Sequence, residues 1–147
     1  VIRAFLDLNV LLDLSLAREP WRAEAMSIWR ANAEGRIEAL ISAASLPTLF
    51  YVARKTLGPA AGLRAVSAWA SAATIVPVDR DAIEAALVGT GPDFEDNLQL
   101  ACAVRAGADA LVTRDPRGFP DAPLPVLSPA DFLAGLPPPD PEAPDAR

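Results

Sequence analysis

Three aspartates stand where the chain passes from one element to the next, and their placement suggests shared chemistry. Asp7 ends the first apolar run, with Asn9 two residues on. Asp96 lies in the first turn of a helix that begins near Asp93, with Glu95 beside it. Asp115 follows the fourth apolar run in Leu111-Val112-Thr113-Arg114-Asp115. Carboxylates gathered within ~4–6 Å repel one another, so their pKa values rise unless a cation joins them. A divalent cation relieves that repulsion, lowers the pKa of water and orients a phosphate. Such a set suits phosphodiester hydrolysis, in which water is the nucleophile and no side chain becomes covalently modified. Each acid also has an ordinary structural alternative. Asp7 can cap the helix that follows it. Asp93-Phe94-Glu95-Asp96 has the form of a capping box, and Asp115-Pro116-Arg117-Gly118 that of a turn. The combination is more specific than any member.

Composition narrows the chemistry further. The 147 residues contain no histidine and one cysteine, Cys102. Histidine-dependent nucleophiles and histidine-liganded zinc are therefore excluded, and oxygen ligands favour Mg²⁺ or Mn²⁺. Cys102 lies in an apolar helical pattern and reads as a core residue. The net charge of −6 argues against a broadly basic nucleic-acid surface. Part of it sits in the tail, and more can sit in one pocket. No apolar run approaches the roughly 18 residues of a membrane span, and no leader pattern is visible. A cytoplasmic protein without a membrane partner is expected.

The elements that must position the acids alternate. Strands are expected at Ile2 to Leu8, Arg36 to Ser42, Thr74 to Val78, Ala110 to Thr113 and Pro125 to Leu127. Pro77 marks the third as an edge or a strand end. Helices are expected at Asn9 to Leu16, from Pro20 to near Gly35, and from about Ala44 to Leu57. Further helices span Ala60 to Ala73, Asp79 to Val88, Asp93 to Arg105 and Ser128 to Leu133. The third helix carries Leu46, Leu49, Phe50, Ala53 and Leu57 on one face; the fourth carries Leu63, Val66, Trp69 and Ala70. Asp13, inside the first helix, reads as structural or ion-paired. The pattern implies an α/β domain over residues 1–135 with a mostly parallel sheet of four to five strands. Residues 136–147 are proline-rich and acidic and are expected to form an extended or disordered tail.

The ordered pieces Asp7-Leu8-Asn9-Val10-Leu11-Leu12-Asp13, Ile41-Ser42-Ala43-Ala44-Ser45-Leu46, Asp93-Phe94-Glu95-Asp96-Asn97-Leu98-Gln99 and Leu111-Val112-Thr113-Arg114-Asp115 resemble the PIN-domain family, especially the VapC-like toxins of type II toxin–antitoxin pairs. The resemblance implies a PIN-like three-layer α/β/α sandwich and Mg²⁺- or Mn²⁺-dependent endoribonuclease activity. It makes Asp7, Asp96 and Asp115 the catalytic and metal-binding acids. Asn9 supports them by hydrogen bonding, and Thr113 matches a hydroxyl position beside the site. It also implies an antitoxin partner and a homodimer. The chain departs from the family at Thr48, where many relatives place a glutamate. Thr48 can support bound water but supplies no charge, and Glu95 or Asp93 is the candidate to replace the missing ligand. Gly118 likewise stands where relatives often carry another acid.

An RNA substrate needs basic contacts beside the acids, and Arg114 and Arg117, flanking Asp115, are the first candidates. Arg54 and Lys55 read rather as a solvated helix end. Trp21 and Trp29 are core residues by spacing, or part of a groove for a partner helix. Two alternatives to a ribonuclease toxin stay open at this stage. One is a catalytically weakened PIN-like module for RNA or protein binding, suggested by Thr48. The other is a phosphotransferase with Asp7 as nucleophile, disfavoured by Asn9 where a second Asp is usual.

Overall fold

A computed structural model describes residues 1–141. Five parallel strands, β1 (Ile2–Leu6), β2 (Ile37–Ser42), β3 (Thr74–Val76), β4 (Ala110–Val112) and β5 (Val126–Leu127), form one sheet in the order β3-β2-β1-β4-β5. Seven helices connect or flank them: α1 (Leu8–Ser15), α2 (Arg22–Ala33), α3 (Ser45–Leu57), α4 (Pro59–Ala72), α5 (Arg80–Leu87), α6 (Phe94–Arg105) and α7 (Pro129–Ala134). The most apolar strands lie at the centre, where both faces are covered. β3 is an edge strand, and Pro77 follows its last residue.

Strand alternation sorts the core into two layers. Ala4 and Leu6 of β1, Ile37, Ala39 and Ile41 of β2, and Ala110 and Val112 of β4 pack with α1, α2, α3, α4 and α7. Phe5, Leu40 and Leu111 face the other way, against α5 and α6. The result is the three-layer α/β/α sandwich. The same alternation, carried one residue past each strand, places Asp7 and Thr113 on the α6 side. Leu6 pairs with Val112 in the parallel register, so Asp7 and Thr113 become neighbours at the carboxyl ends of the central strands.

Four local expectations shift. Helix α2 starts at Arg22 rather than Pro20; the Glu19–Pro20 peptide is cis, and the first turn is closed by Arg22 donating to the Arg18 carbonyl at 2.8 Å. Leu63 is exposed, and Gly62 and Trp69 form the buried line of α4 instead. The cause is close packing of α3 on α4: a Cβ on Gly62 would meet the Phe50 ring at 3.0 Å. Leu57 also faces outward. In the expected tail, Leu136 still packs on the core and Arg36 donates to the Pro137 carbonyl. Residues 142–147, half of the stretch expected to be disordered, lie outside the described residues. Among the described residues no helix is long and apolar enough to cross a membrane.

Candidate active site

Asp7 is buried at the junction of β1 and α1, in an extended conformation before the first helical turn. Its carboxylate makes no side-chain capping bond to α1. Instead Thr113 Oγ1 donates to Oδ2 at 2.7 Å and Gln99 Nε2 donates to Oδ1 at 3.1 Å. Burial raises the Asp7 pKa, against the opposing pull of the Thr113 hydrogen bond. Thr113 also accepts from the Asp115 backbone N–H at 3.1 Å and from Asn9 Nδ2 at 3.4 Å. Asn9 Oδ1 in turn accepts from the Arg114 backbone N–H at 3.4 Å. One hydroxyl thus ties the end of β1 to the loop after β4, and Asn9 reinforces the tie.

Asp93 caps α6 by accepting from the Asp96 backbone N–H at 2.9 Å. The Asp96 carboxylate itself reaches the acidic pocket. Burial first, then Asp7, Asp93, Glu95 and Asp115, push its pKa up to about 6. A Cβ built on Gly118 would meet Asp96 Oδ2 at 2.9 Å and Asp115 Oδ2 at 3.5 Å. The two carboxylates therefore face one point beneath the 3₁₀ turn Pro116–Gly118. Asp7, Asp96 and Asp115 come to the same corner of the fold: Asp115 raises the pKa of Asp7, and Asp7 and Asp115 both raise that of Asp96. All the donors are oxygens, the right chemistry for Mg²⁺ or Mn²⁺. Among the described residues no three His, Cys, Asp or Glu side chains are arranged to hold an ion as they stand.

Glu95 and Thr48 lie next door. They line a pocket of about 250 Å³ with Ser42, Ala44, Ser45, Phe94, Leu98 and Gln99. Burial, then Asp7 and Asp93, raise the Glu95 pKa. Thr48 and Glu95 thus both face the cavity beside the acids.

The two arginines proposed together from the sequence behave differently. Arg117 is exposed on the 3₁₀ turn. Arg114 is turned inward: its guanidinium carbon lies 3.8 Å over the centroid of the Trp21 ring, and its Nε is 2.7 Å from Asp13 Oδ2. The Nε–H does not point along that contact, so it is an ion pair without a well-directed hydrogen bond, and Asp13 Oδ1 is buried without a partner among the described residues. Asp13 has the structural, ion-paired role expected of it, and Trp21 is a half-exposed platform rather than core. Trp29 packs edge-on against Trp69 at 4.8 Å. Cys102 is buried, and burial pushes its thiol pKa up, as befits an inert core residue.

Sequence reasoning singled out no role for Gln99. It is 3% exposed and joins Asp7 to Ser45 through Nε2, at 3.1 and 3.4 Å. The available signal was its spacing: three residues after Asp96, it falls on the same helical face.

An open parallel sheet with acids crowded at the carboxyl ends of its central strands places the ligand crevice where such folds carry it. A family model described as PIN domain matches residues 3–117, and the chain belongs to that family. Solved structures of similar fold include a DNA-bound VapBC from Salmonella typhimurium, at 20% identity and TM-score 0.64, covering 88% of this chain and 99% of that one. A toxin–antitoxin complex from Klebsiella pneumoniae matches at 22% identity and TM-score 0.64, covering 86% and 97%. VapC20 of Mycobacterium tuberculosis, described as a Sarcin-Ricin loop cleaving toxin, matches at 17% identity and TM-score 0.62, covering 74% and 86%. Comparison with curated protein sequences gives no match.

Proposed function

We propose that this chain is a metal-dependent endoribonuclease and the toxin of a toxin–antitoxin pair. The observation that carries the reading is the meeting of Asp7, Asp96 and Asp115, from three separate segments, at one corner of a PIN domain. Asp7, Asp96 and Asp115 would hold a Mg²⁺ or Mn²⁺ ion. When bound, the ion supplies counter-charge for the scissile phosphate and a water of lowered pKa. Thr113 and Gln99 fix the Asp7 carboxylate from both sides. Burial and the neighbouring acids push the Asp96 pKa up to about 6, and a bound cation would relieve that repulsion. Exposed Arg117 contacts the RNA backbone. Arg114, committed to Asp13 and Trp21, contributes a fixed positive field at Asp7. Similarity to solved toxin–antitoxin complexes supports an antitoxin protein as partner.

The test is RNA cleavage by the full chain with Mg²⁺ or Mn²⁺. Asp7→Asn is expected to lower the rate at least about a hundredfold, the scale of removing one electrostatic group from such a site, and excess chelator to abolish it. Cleavage that continues unchanged in either condition refutes the reading. A second reading, a binding module with weakened catalysis, is favoured by Thr48, which puts a neutral hydroxyl into the pocket beside the acids. It predicts RNA binding without metal-dependent turnover.

A further inference from the structure

The cleavage chemistry above uses Gln99 from the wall of the pocket of about 250 Å³ beside the acids but assigns nothing to the space itself. Its wall is chemically divided: Phe94, Leu98 and Ala44 supply carbon, while Ser45, Thr48 and Glu95 supply hydroxyls and a carboxylate. Phe94, the first residue of α6, is 47% exposed, so an aromatic face is left in water at the rim. At the floor, Gln99 is 3% exposed and its Oε1 is buried with no hydrogen-bond partner among the described residues. A buried unpaired acceptor is costly in a protein interior, and here it belongs to a residue lining the cavity. The volume lies below the roughly 300–1,000 Å³ of pockets that take drug-sized ligands. It suits one flat, polar-edged ring system.

Gln99 also connects the pocket to the acids, because its Nε2 holds Asp7. A ring in the pocket and a phosphate at the acids would therefore belong to adjoining parts of one molecule. Every nucleobase has a π-face that stacks on an aromatic side chain. An ionised carboxylate only accepts hydrogen bonds, so Glu95 suits a base edge that carries an amino group.

We infer that this pocket is a nucleobase subsite, in which Phe94 stacks one base of single-stranded RNA and Glu95 accepts from its exocyclic amino group. The inference rests on the ribonuclease reading and adds to it a base preference: cytosine or adenine over uracil.

The test is fluorescence anisotropy of labelled single-stranded oligoribonucleotides of C, A or U, titrated with the full chain in chelator so that nothing turns over. Tighter binding of C and A than of U is expected. Phe94→Ala should weaken binding roughly five- to a hundredfold, the range of one lost base stack. Phe94→Tyr should retain it, and Glu95→Gln should erase the preference over U. Leu87→Ala, on α5 and 68% exposed, should bind as wild type does. KM and base preference of metal-dependent cleavage form the second arm. If wild type cleaves RNA and Phe94→Ala matches it in affinity, KM and preference, the subsite is overturned and the ribonuclease stands. If wild type neither binds nor cleaves RNA, both are overturned.

Discussion

The two ends of β1 handle charge in opposite ways. At the amino end, Arg3 donates to Glu38 at 2.9 Å and to the Ala106 carbonyl, while its backbone N–H donates to Asp109 at 2.8 Å. Glu38 also accepts from Thr74 at 3.0 Å, and these bonds hold its pKa below the usual glutamate value. At the carboxyl end Asp7, Asp96, Glu95 and Asp115 gather, and burial first, then neighbouring acids, push the pKa values of Asp7, Glu95 and Asp96 up. The cation that faces Asp7, Arg114, is already paired with Asp13. The first end is a closed network, with every charge answered from within the chain. The second leaves acidic charge that the chain itself does not balance, as the proposed metal site requires. That difference supports the proposed site at the acidic end and gives the other end a scaffold role.

The contrast is broken most severely by removing the cation of the acidic end. Arg114→Ala leaves Asp13, 1% exposed, without its counter-charge. The expected loss is roughly 2–3 kcal/mol, less than for a fully buried pair because Arg114 is partly exposed. Urea unfolding measures it, and adding Asp13→Asn should restore part of the stability. If Arg114→Ala unfolds at the wild-type midpoint, the pair contributes nothing.

A pH series sharpens the contrast, because the two ends titrate with opposite sign. Asp96 has a raised pKa, so in metal-free buffer its ionisation destabilises the fold as pH rises from its ordinary value of 3.8 through about 6. Acidifying from pH 7 toward about 5 should relieve that penalty in wild type and less so in Asp96→Asn. Glu38 has a lowered pKa, so its contribution is present above its ordinary 4.5 and is lost as pH falls further. Glu38→Gln should flatten only that acid limb. Identical denaturation profiles for wild type and Asp96→Asn between about pH 5 and 7 would remove the electrostatic distinction between the ends.

The smallest effect is expected at the closed end. Arg3→Ala breaks a largely exposed ion pair, which should lower the unfolding temperature by about 3 °C or less. RNA cleavage should not change. A loss of cleavage would mean that the two ends are coupled through β1.

The central fold was legible because apolar runs and turn residues alternate in the sequence. All five strands lie where those runs predict them. Asp7, Asp96 and Asp115 were legible as boundary residues, since acids at strand ends and helix starts stand out from apolar neighbours. Gln99 was harder to see. A polar residue on the inner face of a helix has the same spacing as an apolar one, and only the register of β1 on β4 shows that a buried carboxylate waits for it. The inward turn of Arg114 was hidden for a related reason. Trp21 and Asp13 lie far from it in sequence, and a charged residue in a loop reads as solvated. Leu63 misled because hydrophobicity favoured it, whereas close helix packing on Phe50 selected the side carrying Gly62.

Gly118 is a hydrogen atom's width of tolerance at the mouth of the acidic corner. Its backbone lies over the Asp96 and Asp115 carboxylates so closely that a methyl group would press on Asp96 Oδ2. The backbone there is rigid compared with the end of an aspartate side chain, so Asp96 would give way. A single alanine at this position can therefore misalign the site while every acid stays in the chain and the net charge is unchanged. Glycine here acts as a spacer, and the geometry of the acids depends on a side chain that is not there.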